Sequence, residues 1–402
     1  MSASSGPSIS PATPARLVGL MALCCALAVS TIYYHQPLLP QMAASFDVSP
    51  AHASLIATMT QLGYATGLVF YVPVADRAQP RRLAAAAIIA NTLAMLACAA
   101  APSFAALVCA SFAVGVTAVT AQFIIPAVSG LAAPDVRGRV VGTLLSGLST
   151  GLLLARTVSG FVGGHLGWRS VFLLASVVDL ALLAIVVRAL PLSVSLTTIR
   201  YGELIRSLGV LVREERQLRL SAATGFLMFA AFSALWSTLG ALLARPPYGF
   251  GSAGIGAFGL VAVIGIVLSP RIGALVDRIG TRNMVMAGAL LFAVGFACIG
   301  AAGSGLAWLV VGMVLLDLGN RAGLVANQAR IYALRPEARS RLNTVFIGSY
   351  FLGGAAGSAL GGVAAHHSGW LGLSLVGVLL ALAAAGVNTF SEKASRAVLE
   401  QT

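Results

Sequence analysis

Four ionisable residues stand inside long apolar stretches of the sequence: Arg156, Asp179, Asp317 and Arg321. A charge within a bilayer is costly, so such residues are rare and usually mark an ion, proton or substrate pathway. A carboxylate can take up and release a proton, and a guanidinium can hold an anion or neutralise a carboxylate. The chemistry that these residues predict is therefore binding and proton transfer.

The spacing of these residues groups them into two pairs. Asp317 and Arg321 are four positions apart, so they share one face of a helix. Arg156 lies 12 residues before Trp168, and Asp179 lies 11 residues after it. An antiparallel hairpin turning at Trp168 places them at similar depth, where they would neutralise each other. For each pair, a static structural role and a functional role in substrate binding, gating or proton coupling remain open.

A charged turn occurs twice in the sequence. "PVADRAQPRRL" begins at Pro73 and "GALVDRIGTRNMV" begins at Gly273, and each lies between two apolar segments. Their aspartates, Asp76 and Asp277, are 201 positions apart in a chain of 402 residues. This duplication predicts a matching element in each half of the protein.

The composition indicates what kind of element carries these residues. Hydrophobic residues make up 58% of the chain and charged residues 9%, against roughly 45–50% and 25% in soluble domains. Segments of about 20 apolar residues recur along the chain, the length that spans a bilayer. Their uniform apolarity excludes a transmembrane barrel, whose strands alternate in polarity. The sequence therefore predicts an all-α membrane protein.

Twelve spans are expected, six on each side of a polar linker. Their predicted ranges are 16–38, 53–73, 82–101, 104–130, 139–163, 169–190, 220–243, 254–272, 283–301, 306–328, 341–364 and 369–390. The predicted organisation is a disordered cytoplasmic tail (1–15), an N-terminal six-helix bundle (16–190), a cytoplasmic linker (191–219), a C-terminal six-helix bundle (220–390) and a second cytoplasmic tail (391–402).

The basic residues predict the orientation. The net charge is +13, and of the 25 basic residues 21 fall in segments on one side of the predicted membrane. This is the positive-inside pattern, with both termini cytoplasmic, and it explains the charge without a nucleic-acid partner. The five cysteines all lie in apolar spans and lack metal-ligand spacing, which indicates packing residues and no metal site.

The second half repeats the first beyond the charged turns. The segment from Arg137 to Trp168 aligns without a gap to the segment from Arg339 to Trp370, at an offset of 202 positions. Arg156 then aligns with Ser358, so the architecture does not require an arginine there. Parallel six-helix repeats are typical of secondary transporters, whose binding site lies at mid-membrane between the halves.

Along its whole length the chain resembles the major facilitator superfamily. "GALVDRIGTRN" matches the superfamily motif between the second and third helices and appears here between the eighth and ninth. The first copy departs from the motif at Val72 and at Gln79-Pro80. "IYYHQPLLPQMAASF" and "GLLLARTVSGFVGGHLGWRSVF" are similar to bacterial drug-proton antiporter-like members grouped with sugar and purine-nucleoside efflux proteins. The resemblance implies two pseudo-symmetric six-helix bundles.

The resemblance also implies a cytoplasmic gate in which the contacts cross between the halves. Asp76 would lie near Arg339 and Arg341, and Asp277 near Arg137 and Arg139, at helix N-termini whose dipoles favour an anion. The alternative is that these arginines only set the topology, which leaves the paired aspartates unexplained. The other predicted gate residues are Arg77, Arg81, Arg82, Gly273, Arg278, Gly280 and Arg282.

A central cavity is expected between the first, fourth, seventh and tenth spans, and the tenth span carries Asp317, the leading candidate for the proton carrier. Aromatic side chains with a few hydrogen-bonding groups suit uncharged or amphipathic organic solutes, although such aromatics often only pack helices. The candidates are Tyr33, Tyr34, His35, Gln36, Thr117, Thr120, Gln122, Phe226, Phe229, Phe232, Trp236, Asn320, Asn327 and Gln328.

These features predict a monomeric secondary transporter of the bacterial inner membrane that exports a small organic solute in exchange for protons. An importer or facilitator of the same fold, or a non-transporting receptor, remains an alternative. The sequence has no phosphate-binding loop of the G-x-x-x-x-G-K-[ST] type and no H-E-x-x-H motif. We therefore expect neither an ATP-driven pump nor an enzyme, and no cofactor.

Overall fold

The computed structural model describes residues 15–75, 78–133, 136–190, 201–335 and 338–399. Asp76 and Arg77 lie outside these ranges, as do most of the predicted N-terminal tail and the beginning of the linker. The backbone is described at Gly273 and Asp277, but their side chains are not among the described groups.

The described residues are helical and contain no strand. The α-helices are α1 (Ala15–Ser30), α2 (Leu39–Ser45), α3 (Pro50–Ala75), α4 (Pro80–Ala99), α5 (Phe104–Thr117), α6 (Thr120–Gly130), α7 (Arg137–Leu166), α8 (Trp168–Ala189), α9 (Tyr201–Glu214), α10 (Arg216–Leu243), α11 (Ser252–Ala257), α12 (Ala262–Ile279), α13 (Thr281–Gly300), α14 (Leu306–Tyr332) and α15 (Arg339–Leu399).

Twelve membrane crossings follow from these helices. Nine helical segments among the described residues are long and apolar enough to cross a bilayer, and α1 and Ser252–Leu268 are shorter apolar helices. The segment Arg339–Thr389 counts once among the nine but supplies two crossings, because Ser368 and Gly369 break the helical backbone inside α15. The predicted all-α membrane fold is confirmed.

Three crossings are interrupted along their length. The first crossing was expected to be one helix over 16–38, but α1 ends at Ser30 and a turn leads into the 3₁₀ helix Gln36–Leu38. Pro37 lacks a backbone N–H and cannot continue the ladder of α-helical hydrogen bonds. Similar breaks separate α5 from α6 and α11 from α12. Irregular backbone within a membrane is tolerated where protein surrounds it.

The helix contacts repeat between the two halves. At Gly151 of α7 an added Cβ would overlap the backbone of Ala26 in α1, and at Gly353 of α15 it would overlap the backbone of Phe226 in α10. Small residues let helix backbones approach this closely in lipid. The turns that follow α7 and the first part of α15 also match, with Gly167 at φ +81° and Gly369 at φ +56°, a region that favours glycine.

The charged turns differ in how the backbone is bent. In the second turn Gly280 has φ +82° between α12 and α13. In the first turn Gln79 takes an extended conformation with φ −64°, and Pro80 begins α4. Proline at the first position of a helix costs no hydrogen bond. The sequence departure at Gln79-Pro80 is therefore a different way to start the same helix.

Between the two halves, α9 carries one apolar face. Leu204, Leu208 and Leu211 recur at helical spacing and are buried. The Tyr201 hydroxyl donates to the carbonyl of Phe70 in α3 at 3.0 Å. The predicted linker thus contains a helix that packs against α3 of the N-terminal half and against α10 and α15 of the C-terminal half.

Candidate functional site

A buried ion pair lies on α14. Arg321 Nε donates to Asp317 Oδ2 at 2.9 Å, and the side chains are only 15% and 10% exposed. The spacing of four residues places both on one helix face, as the sequence predicted. At Gly265 of α12 an added Cβ would overlap both the carboxylate and the guanidinium, so α12 covers the pair through a residue without a side chain.

The second buried cation is Arg156 of α7, which is 1% exposed. Its Nε donates to Gln36 Oε1 at 2.5 Å. Its guanidinium carbon lies 3.7 Å from the ring centre of Trp236 and 5.0 Å from that of Tyr33. Nη1 and Nη2 are buried and have no hydrogen-bond partner within the described part of the chain.

The expected pairing of Arg156 with Asp179 is not formed. Asp179 is 2% exposed and its Oδ2 lacks a hydrogen-bond partner among the described residues. Arg156 instead faces Gln36 and Trp236. Equal depth along two helices does not make two side chains meet, because each must also be turned toward the other around its helix axis. Spacing along the chain does not specify this rotation.

A small cavity lies beside Arg156, with space for about one water molecule. Gln36 and Arg156 supply its polar wall, and apolar atoms dominate the remainder. Its lining residues are Gln36, Pro37, Arg156, Trp236, Leu239 and Ile255. Both halves of the chain line this cavity. Gln36, Pro37 and Arg156 belong to the N-terminal half, whereas Trp236, Leu239 and Ile255 belong to α10 and α11 of the C-terminal half.

A belt of aromatic and amide side chains crosses the centre of the molecule. The rings of Phe229 and Tyr350 stack with centroids 3.8 Å apart, and Tyr64 meets Phe351 edge-on at 4.5 Å. At its two ends, Gln122 Nε2 donates to the Tyr64 hydroxyl at 3.2 Å, and the Tyr350 hydroxyl donates to Asn320 Oδ1 at 2.9 Å.

Most of the other predicted cavity residues fall into three groups. His35 and Thr120 are buried. Asn327 and Gln328 lie apart from the central belt: Asn327 Nδ2 donates to the Gly323 carbonyl, and Gln328 Nε2 donates to the side chain of Asn343. The remaining predicted aromatics, Tyr34, Phe226 and Phe232, lie within or against the packed helices.

Gln61 of α3 is a central residue that the sequence analysis missed. Its Nε2 donates to Ser358 Oγ at 2.9 Å, and its Oε1 accepts from Ser233 at 3.1 Å. These bonds join the N-terminal half to two helices of the C-terminal half. A glutamine inside the apolar stretch "LIATMTQLGYATGLVF" was the available signal, but the second span was not expected to line the centre.

The predicted gate residues are described only in part. Arg137 and Arg139 stand at the beginning of α7, and Arg339 and Arg341 at the beginning of α15. Arg139 and Arg339 are exposed, and Arg339 Nε donates to the Tyr332 carbonyl at 3.2 Å. Because Asp76 and the side chain of Asp277 are outside the described groups, the crossed contacts stay a prediction.

Near this predicted cytoplasmic face, Arg335 forms an ion-pair cluster that the sequence did not indicate. Its Nη2 donates to Glu214 at 2.9 Å and its Nε to Glu215 at 2.6 Å. The hydrogen bonds that Arg335 donates to these carboxylates raise its pKa above the ordinary value. The cluster fastens the loop before α15 to the junction of α9 and α10.

Comparison with known proteins identifies relatives of the whole chain. The family model described as Major Facilitator Superfamily matches residues 20–273 and 221–397. The "Uncharacterized transporter YgaY" of Escherichia coli O157:H7 is 39% identical over 367 residues, covering 91% of this chain and 93% of its own. The "Probable transporter SCO4007" of Streptomyces coelicolor is 35% identical over 376 residues, covering 92% and 86%.

Solved structures agree in fold at much lower identity. A crystal structure of the nucleoside transporter NupG has a TM-score of 0.77 and 12% identity, covering 93% of this chain and 98% of its own. Likeness at this identity concerns the arrangement of helices alone.

Proposed function

The chain belongs to the Major Facilitator Superfamily, and from that premise we propose that it exports a small organic solute in exchange for protons. It is a multi-pass membrane protein of transporter type. We also propose that the protein lies in the bacterial inner membrane with both termini in the cytoplasm. The solute would be bound between the halves, which rock about that site to give alternating access.

The buried Asp317–Arg321 pair is the observation that carries the proton-coupled part of this proposal. A carboxylate and a guanidinium 2.9 Å apart neutralise each other in a setting where a lone charge is costly. Protonation of Asp317 would cancel its charge and leave Arg321 as an unneutralised cation. The two protonation states therefore favour different surroundings for Arg321, which is the requirement for coupling a proton to a conformational change.

The position of α12 supports a link between this pair and helix movement. Gly265 lies directly against Asp317 and Arg321. Any change in the pair must be accommodated by α12, because the packing leaves no room for a side chain at this position. The outer end of the same span, α11, packs on α7 of the other half, with the Thr157 hydroxyl donating to the Gly256 carbonyl at 3.1 Å. The proton site and the contact between the halves thus share one span.

The interface between the halves supports alternating access. Gln61 bridges α3 to α10 and α15, and Gly160 of α7 is in close contact with Ser252 and Gly256 of α11. Neutral hydrogen bonds and small-residue packing of this kind are individually modest, so they can be exchanged during a rocking motion. In the proposed cycle they close the site on one side, and the Asp76 and Asp277 turns close it on the other.

The test is proton flux from proteoliposomes that contain the purified protein and a pH-sensitive dye. A panel of drugs, sugars and nucleosides is added one at a time, with protein-free vesicles as the control. A solute that drives proton movement, and that a protonophore uncouples, supports the proposal. Solute flux without proton flux would indicate a facilitator, and binding without either flux would indicate a receptor.

A further inference from the structure

Arg156 is a buried cation, and two of its nitrogen donors have no hydrogen-bond partner among the described residues. It is 1% exposed, and only its Nε is hydrogen-bonded, to Gln36. Nη1 and Nη2 have no partner among the residues that the structure describes. A buried charge whose donors are unsatisfied is destabilising unless something binds there. The repeat does not demand it, because Ser358 occupies the equivalent position in the second half.

The surroundings of Arg156 suit a planar organic group. The Trp236 ring lies 3.7 Å from the guanidinium carbon, and the cavity beside it is walled by Pro37, Leu239 and Ile255. Aromatic faces and apolar walls bind the body of a small organic molecule, while a few polar groups orient it. Nη1 and Nη2 of Arg156 have the planar geometry that allows a guanidinium to donate two parallel hydrogen bonds to the two oxygens of a carboxylate.

The charge of the centre leaves room for one anion. Asp317 and Arg321 form an ion pair, so their charges cancel. Arg156 adds a second positive charge near the Asp317 carboxylate, which interacts electrostatically with both arginines. The hydrogen bond of Arg156 is to the neutral amide of Gln36. A single negative charge on a ligand would complete the neutralisation, whereas a dianion would reintroduce a net charge into an apolar centre.

We infer that Arg156, with Gln36 and Trp236, is the subsite for the anionic group of the transported solute. The substrate class is a small monocarboxylate whose apolar or aromatic part extends toward α10 and α11. This inference rests on the proposed function and specifies the chemical class of the transported solute. In the present conformation the space beside Arg156 holds about one water molecule, so the body of the ligand enters when the halves part.

The probe for this subsite is benzoate, and benzamide is its neutral match in size and shape. Binding of each to the full-length protein in detergent is followed by tryptophan fluorescence, since Trp236 would line the bound ligand. We expect benzoate to bind saturably at millimolar concentration and benzamide to bind at least about tenfold more weakly. Hydrogen bonds to a charged group typically contribute about 1.5–3 kcal/mol, which is a factor of roughly ten or more.

Variants locate the binding. Arg156→Gln should weaken benzoate at least about tenfold and leave benzamide unchanged, because the charge-assisted bonds are lost. Arg169→Gln is the matched control, since its guanidinium also lies over an indole, 4.2 Å from the ring of Trp168, but in the first turn of α8. Trp236→Phe should remove most of the fluorescence response. Equal binding of benzoate and benzamide by the wild-type protein, or full benzoate binding by Arg156→Gln, would overturn the inference.

The proposed function can fail separately. Charge-selective benzoate binding without proton movement in proteoliposomes would refute proton coupling and leave the subsite standing. Proton-coupled flux of neutral solutes, with no charge-selective benzoate binding up to about 10 mM, would refute the anion subsite and leave proton coupling standing. Neither outcome depends on the folding of a variant, because both are measured on the wild-type protein.

Discussion

Arg156 and Ser358 occupy equivalent positions in the two halves, and their surroundings differ in charge. Ser358 accepts a hydrogen bond from Gln61, a neutral bridge to the opposite half. Arg156 also faces the opposite half, but it stacks on Trp236 and keeps two nitrogens without a partner in the described structure. Their neighbours Gly160 and Gly362, again equivalent, both pack closely against the opposite half. The same helix packing therefore forms with or without a charge.

This difference separates what holds the halves together from what we propose to bind the solute. The neutral interface satisfies its polar groups internally and needs nothing from outside. The charged interface leaves Nη1 and Nη2 of Arg156 without a hydrogen-bond partner among the described residues, and the proposed ligand would bind them. The C-terminal half carries its own charges elsewhere, in the Asp317–Arg321 pair on α14. The two halves thus differ in role: one supplies the proposed anion subsite and the other the proposed proton site.

The largest effect is expected from Asp317→Asn, which removes the proposed proton carrier of the C-terminal half. Proton flux in proteoliposomes should fall about 100-fold, near the upper end of typical coupling free energies. Asp47→Asn is the control, because Asp47 is exposed and its φ of +50° is one that asparagine accepts. Full proton-dependent transport by Asp317→Asn would exclude the carrier role.

A smaller but clear loss is expected from Gly265→Ala. The new Cβ would overlap Asp317 and Arg321 and force the ion pair or α12 to move. Overpacking of this kind costs about 1–3 kcal/mol, and we expect about tenfold slower proton-coupled flux. Gly142→Ala in α7 is the matched control, since nothing lies within 4 Å of its added Cβ. Equal flux in the two variants would contradict a tight coupling of α12 to the pair.

The two charged turns offer a comparison of the halves at the predicted cytoplasmic face. Asp76→Ala and Asp277→Ala should each slow transport, and the double variant should slow it several-fold, up to about tenfold, since partly exposed ion pairs are individually weak. Membrane insertion, measured by the amount of protein in the membrane fraction, should be unchanged. Wild-type transport by the double variant would show that the two turns do not form the predicted cytoplasmic gate.

The smallest effects are on stability, and only the variant of the neutral interface should be destabilised. Gln61→Leu leaves the hydroxyls of Ser233 and Ser358 without this bridge and should lower the free energy of unfolding by about 1–2 kcal/mol. Arg156→Gln removes a buried charge and keeps an amide beside Gln36, so it should unfold at the same temperature as the wild type or higher. Thermal unfolding in detergent measures both. A large destabilisation by Arg156→Gln would indicate a structural arginine.

The sequence predicted the fold well because the relevant signals are local. Apolar length specifies a crossing, and the break at Gly369 could be placed by its alignment with Gly167. The ion pair of Asp317 with Arg321 was also accessible, since a spacing of four fixes two side chains on one face without reference to any other helix.

The sequence could not predict contacts between different helices. Arg156 and Asp179 were placed at one depth, yet the rotation of α7 turns Arg156 toward Gln36 and Trp236. Gln61 was overlooked for the same reason, since its two partners lie more than 170 positions away. Nothing in a stretch of sequence states which helix its polar side chain will face.

The amino-acid sequence alone thus determined the membrane class, the twelve crossings and the internal repeat, because each depends on hydrophobicity and spacing along the chain. The tertiary structure alone decided that the buried Arg156 bonds Gln36 and not Asp179, and that a glycine on one helix covers the ion pair of another. Partner choice across helices depends on the rotation and close packing of whole segments, which only the assembled bundle specifies.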